Sequence, residues 1–140
     1  MENVQVLDGL RVLVVDDNTD TLELVKFTFE EYNTQVFLAT SAQIALEEIK
    51  HYKPNILISD IAMPIEDGYA LIRKIRNFPG QIRQIPAIAL TAMATEEARN
   101  LALKAGYNSH LMKPFDPEEL ITVTSNLALV ALYGTCPLCV

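Results

Sequence analysis

The sequence predicts an α/β domain built on a five-stranded parallel sheet with helices on both faces. Three observations carry that expectation. Short apolar runs alternate five times with longer segments of helical periodicity, the pattern of a covered parallel sheet. The length of 140 residues and the hydrophobic fraction of 50% suit one domain with an ordinary core. Four of the five strand-like runs also end in a residue suited to phosphate or magnesium. In an open parallel sheet the ligand crevice lies outside the carboxyl ends of the strands.

Residues 1–10 form a lead-in with no pattern long enough to assign, and the first strand covers 11–15. Helix one is expected over 19–32, capped by Asn18, with Asp20 and Glu23 near its positive end. At 100° per residue, Leu24, Val25, Thr28, Phe29 and Tyr32 share its core arc, and Phe27 falls outside it. Strand two covers 35–39. Helix two runs from the cap Ser41 to about His51 and buries Ala42, Ala45, Leu46 and Ile49. Strand three, 56–59, is followed by Asp60 and then helix three, 69–77, which the Phe78-Pro79-Gly80 turn ends. Strand four covers 87–90. Helix four covers 95–105, with Gly106 as its stop. Strand five covers 110–112. Asp116 caps helix five, Pro117 suits its first position, Glu119 takes the capping-box position, and the helix runs to 133.

The strand ends supply a chemistry. Asp16 and Asp17 follow strand one, Asp60 follows strand three, Thr91 follows strand four and Lys113 follows strand five. Phosphoryl transfer to a carboxylate needs a nucleophile, positive partners for the phosphoryl oxygens and a hard cation. Magnesium takes oxygen ligands, typically one or two carboxylates plus phosphate. The three carboxylates supply a nucleophile and ligands, Thr91 a donor and Lys113 a point charge. Strand two ends in Thr40-Ser41, which reads as structural.

These segments resemble a response-regulator receiver domain of two-component phosphorelays, of the chemotaxis-regulator type. The resemblance rests on Val-Leu-Val-Val-Asp-Asp-Asn (12–18), Ser-Asp-Ile-Ala-Met-Pro-Ile-Glu-Asp-Gly (59–68), Ile-Ala-Leu-Thr-Ala (88–92) and Lys-Ala-Gly-Tyr-Asn-Ser-His-Leu-Met-Lys-Pro-Phe (104–115). It implies a flavodoxin-like, doubly wound sheet of order 2-1-3-4-5. It implies a receiver domain over 11–133 and a tail over 134–140. Asp60 would accept a phosphoryl group from a histidine kinase or a histidine phosphotransfer protein. Asp17 would bind Mg2+ directly, Asp16 directly or through water, and the Ala62 carbonyl would complete the metal site around Asp60. Thr91 and the Ala92 N–H would bind phosphoryl oxygens and Lys113 would pair with the phosphate. A cis bond would precede Pro114, and Gly68 would let the loop after Asp60 turn. His110 stands where the family carries a switch aromatic, so it and Thr91 would form the switch. Such a chain is no turnover enzyme. It is stand-alone or part of a hybrid histidine kinase.

Composition limits the alternatives. A net charge of -7 argues against a nucleic-acid surface, because phosphate backbones need clustered Lys and Arg. The absence of a spanning run or a leader points to a cytoplasmic protein with no membrane insertion. Cys136 and Cys139 have no second pair for zinc and close the chain rather than open a helix, so they read as an incidental tail. An aspartyl-phosphate phosphohydrolase would want a second Asp at position 62. A flavin carrier would want a Ser/Thr/Gly-rich loop after strand one. A degenerate, scaffold-only receiver would not keep the whole acidic set. Partner recognition is expected on the outer face of helix one, through Phe27. In helix five, Leu120, Val123, Leu127, Val130 and Ala131 are expected to face the core. Leu129, Leu132 and Tyr133 would then face outward, with Ile121 on the flank, and could support a homodimer.

Overall fold

The computed structural model describes residues 4–93 and 95–133. Strands β1 (Arg11–Val15), β2 (Gln35–Ala39), β3 (Ile56–Asp60), β4 (Ala87–Thr91) and β5 (Ser109–Met112) alternate with helices α1 (Thr19–Glu30), α2 (Ala42–Tyr52), α3 (Gly68–Arg76), α4 (Glu96–Ala105) and α5 (Pro117–Tyr133). The strands pair in parallel in the order β2-β1-β3-β4-β5. This is the flavodoxin-like order that the resemblance implied.

Burial explains why the strands read as unbroken apolar runs. Every residue of β3 and β4 is buried, because helices cover both faces. Successive side chains point to opposite faces. Leu13, Val15, Leu57, Ala87 and Ala89 pack with α2, α3 and α4 through Ala45, Ile49, Leu71, Ile75 and Ala102. Val12, Val14, Ile56, Ile58, Ile88 and Leu90 pack with α1 and α5 through Val25, Phe29, Leu120 and Ala128. The edge strand β2 buries only Ala39 fully.

Helix starts follow local chemistry. Asn18, Ser41, Asp67 and Thr95 each accept a backbone N–H of the first turn of α1, α2, α3 and α4. The Asp116 carboxylate accepts the Glu118 N–H at 3.0 Å. Gly106 ends α4 with φ of 132°, in a region that side chains rarely adopt.

Four expectations need correction. The lead-in is not featureless. Residues Val4–Leu7 form a 3-10 turn, and Leu7 and Leu10 are buried against the α1 and α5 side of the sheet. In α1 the buried stripe is Leu22, Val25 and Phe29, whereas Leu24 is 45% exposed and Thr28 only half-buried. Two overlapping apolar arcs exist on this helix, and the sheet selects the one through Leu22. In α2, Leu46 is half-buried. In α5 the core face is Leu120, Ile121, Thr124, Ser125, Ala128 and Leu129, while Val130 and Ala131 are exposed and Val123 and Leu127 are half-buried. Its second half, 127–133, is a continuous apolar run, so hydrophobicity could not choose its face there, and the buried hydroxyls of Thr124 and Ser125 disguised the true one. The apolar face expected to carry a homodimer therefore loses Leu129 to the core. The side chains of Leu132 and Tyr133, and the tail with Cys136 and Cys139, lie outside the described residues.

Candidate functional site

The carboxyl ends of β1, β3, β4 and β5 bring the sequence-predicted residues to one edge. In the β1–β3 ladder Val15 pairs with Ser59, so Asp16 and Asp60 are the next residues in register. Asp16 is fully buried and Asp60 is 5% exposed, while Asp17 is exposed. Carboxylate oxygens of the three lie within 4.8 Å of one another. Asp60 pairs with Leu90 in the β3–β4 ladder, which sets Thr91 one step further along the same edge. The Lys113 N–H donates to the Thr91 carbonyl at 2.7 Å and ties the β5 end to the β4 end. The Lys113–Pro114 bond is cis.

Lys113 is the cation of the site. Its Nζ lies 2.7 Å from Asp16 Oδ2 and 3.2 Å from Asp60 Oδ1. The other oxygen of Asp16, Oδ1, accepts the Asn18 N–H at 2.9 Å. Burial pushes the Asp60 carboxyl above its usual range, and the Asp16 charge adds to that, against the opposing pull of Lys113. Burial alone would pull Lys113 down, but its hydrogen bond to Asp16 and the charges of Asp16 and Asp60 outweigh that and raise it. Asp16 and Asp60 share the Lys113 ammonium, and the Asp17 carboxylate lies beside them. The remainder, two negative charges, equals the charge of one divalent cation. Hard oxygen donors at this spacing fit magnesium.

The remaining predicted residues take different positions. Thr91 is buried, and its Oγ1 accepts the Met93 N–H at 3.1 Å. Ala92 is exposed beside it, and Ala62 is exposed in the loop after β3. His110 lies within β5, paired with Ala89, rather than at the strand end. Its Nε2 is buried without a partner, and burial, helped by Arg99, pulls its pKa down. Gly68 was expected to serve a turn. Its φ is not positive, and the need is close approach instead: a Cβ there would stand 2.5 Å from the Asp60 carbonyl oxygen.

Sequence reasoning missed Tyr107 and Ser59. Tyr107 is 3% exposed, and its hydroxyl donates to the Gly68 carbonyl at 2.8 Å. Ser59 Oγ donates to the Asp60 carbonyl at 3.0 Å. The signal available was a large aromatic side chain placed directly after the α4 stop. Residue 62 is Ala, so the acid required by a D-x-D phosphohydrolase is missing, and Asp16-Asp17 occupies the turn that a flavin phosphate would need.

Comparison with known proteins adds an independent line. The family model described as "Response regulator receiver domain" matches residues 12–125. An uncharacterized 14.6 kDa protein in the sodA1 3'region of Leptolyngbya boryana is 43% identical over 90% of this chain and 95% of its own length. Response regulator Rre1 of Synechocystis is 34% identical over 86% of this chain, which spans 52% of that longer protein. The receiver domain of Francisella response regulator 1452 superposes with a TM-score of 0.79 at 31% identity, covering 86% of this chain and 97% of that one.

Proposed function

This chain belongs to the response regulator receiver domain family of two-component systems, and we propose that Asp60 is its phosphoacceptor. The observation that carries the assignment is the cluster of Asp16, Asp17 and Asp60, two of which, Asp16 and Asp60, pair with Lys113. Asp60 is the member that reaches Lys113 from the middle of the edge, with Thr91 next to it. An Asp60 carboxylate oxygen attacks the phosphorus of a phosphohistidine. The new P–O bond forms as the P–N bond breaks, and the imidazole nitrogen leaves with the bonding pair. Lys113 pairs with the incoming phosphoryl group, and the Thr91 hydroxyl and Ala92 N–H donate to its oxygens. Asp16, Asp17 and the Ala62 carbonyl would hold Mg2+, which when bound neutralises charge on the phosphoryl oxygens.

The donor is a histidine kinase or a histidine phosphotransfer protein, and the chain works in the cytoplasm. Among the described residues no helix is long and apolar enough to cross a membrane. The donor docks on the outer face of α1 and the rim of the site. Phe27 is 67% exposed there, and Ile65, in the loop after β3, is fully exposed. A large aromatic side chain such as that of Phe27 offers a partner much apolar area to bury. His110 and Thr91 together report the phosphorylated state to partners.

Labelling with acetyl phosphate tests the assignment. The wild type incorporates phosphate only with Mg2+ present, and Asp60→Asn incorporates none. Equal labelling of the two proteins would sink it.

A further inference from the structure

Tyr107 is a buried titratable group that the reaction above does not use. It stands between Gly106, the stop of α4, and β5, the strand that leads to Lys113. Its ring packs in the same cluster as Leu57, Ile61, Leu71 and Ile72. Its hydroxyl donates to the Gly68 carbonyl at 2.8 Å, and Ser59 is a second hydrogen-bonding neighbour. Burial chiefly, and then the nearby Asp67 and Asp60 charges, raise the phenol pKa, so it stays a neutral donor.

Gly68 closes the loop that Asp60 opens. The Gly68 N–H donates to the Ile61 carbonyl at 2.8 Å, and the Ile61 N–H donates to the Leu90 carbonyl at 3.0 Å. Both ends of the loop meet at this point. A Cβ on Gly68 would lie 2.5 Å from Asp60 O, 2.8 Å from Ile61 Cα and 3.0 Å from the Tyr107 hydroxyl. The phenol therefore bears on the loop's closing residue where that residue touches the backbone of Asp60. Between these ends the loop carries Ala62, whose carbonyl the proposed metal site uses.

We propose that Tyr107 is a positioning residue for the loop 61–67: its hydroxyl ties Gly68 to the lead-in of β5 and so holds the Ala62 carbonyl in place relative to Asp60. The proposal rests on the reading of Asp60 and Mg2+ given above. A loop already tied pays little ordering cost when a cation arrives, and an untied one pays it at binding. Loss of one hydrogen bond of about 1 kcal/mol corresponds to roughly a fivefold change in affinity.

The test uses Tyr107→Phe, which keeps the ring and removes only the hydroxyl. Backbone amide exchange is measured without metal, and the Mg2+ dependence of acetyl phosphate labelling is measured beside it. The expected result is faster exchange at Gly68, whose N–H closes the loop on the Ile61 carbonyl, with the sheet amides, Ile61 on Leu90 among them, still protected. The Mg2+ concentration for half-maximal labelling rises about fivefold, while the rate at saturating Mg2+ stays that of the wild type. Unchanged loop exchange overturns the proposal. So does an unchanged Mg2+ midpoint, or a lower saturated rate at the same midpoint. Failure of the underlying reading shows separately, as a wild type that takes up no phosphate with Mg2+, and that result removes the positioning role with it.

Discussion

Arg76 and Lys113 are partly buried cations at opposite ends of the same sheet, and their partners differ in kind. Arg76 closes α3 at the amino ends of the strands. It donates to the carbonyls of Gly106, Arg83 and Ile85 and to Asn108 Oδ1, at 2.6–3.1 Å. Those five bonds use the whole donor set of a guanidinium, and every acceptor is neutral. Lys113, at the carboxyl ends, faces two carboxylates with a third beside them. One end of the sheet is complete in itself. The other carries more negative charge than its cation can balance, and it is finished only by what binds there. Stability and function are thus separated along the strand direction, with activity concentrated where the fold is electrostatically unresolved.

Substitutions at the two ends should therefore move different quantities. The largest stability effect belongs to Arg76. Arg76→Ala leaves the carbonyls of Gly106, Arg83 and Ile85, bonded at part-buried and exposed positions, without this donor and should cost about 2 kcal/mol in urea unfolding. Labelling per folded molecule should stay at the wild-type level, and Arg76→Lys should rescue stability poorly because an ammonium cannot fill a planar fork. If Arg76→Ala abolishes labelling while the protein remains folded, the division between the two ends is wrong.

Phe27→Ser should slow phosphotransfer from a protein donor by roughly tenfold, the loss of about 1.4 kcal/mol of docking energy. Labelling by acetyl phosphate should be unaffected. Loss of both would mean that Phe27 supports the fold rather than a partner.

Asp60→Asn removes one of the crowded carboxylates and should raise stability at neutral pH by on the order of 1 kcal/mol, even as it ends phosphorylation. The Asp60 pKa is raised in the folded protein, chiefly by burial and then by Asp16. The folded state therefore favours the protonated form, and the wild type loses stability as pH rises through that folded pKa. The gap between wild type and Asp60→Asn should be full above it and close as pH falls through it. Thermal melts across acid to neutral pH read this directly, and a gap independent of pH would contradict the electrostatic cause.

The smallest effect is expected at Ile65. Its φ is 70° and its side chain is fully exposed. A β-branched residue in the left-handed region is strained, and Asn tolerates that region better. Ile65→Asn should stabilise the fold by about 0.5–1 kcal/mol in urea unfolding. A destabilised variant would show that the backbone at this position is not strained.

How much of this was legible in the sequence differs between the same two ends. Asp16, Asp17, Asp60, Thr91 and Lys113 were legible because each follows directly on an apolar strand, and parallel pairing brings such positions together without further information. Helix starts were legible through Asn18, Ser41 and Asp116, whose side chains act within a few residues. Arg76 and Tyr107 were not, since their partners are backbone carbonyls at distant positions such as Gly106 and Gly68. A carbonyl carries no mark in the sequence. The faces of α1 and α5 were misjudged for a related reason. On α5, Thr124 and Ser125 are buried while Val130 is exposed, so polarity pointed to the wrong side.

The central claim is that Asp60 receives the phosphoryl group at the unresolved end of the sheet. Borohydride reduction of the labelled protein converts a phosphorylated aspartate to homoserine, and peptide mass mapping then locates it. The account predicts homoserine at position 60 alone, formed only when Mg2+ was present during labelling. Homoserine at position 16 or 17, or phosphate held on His51 or His110 instead, would contradict it.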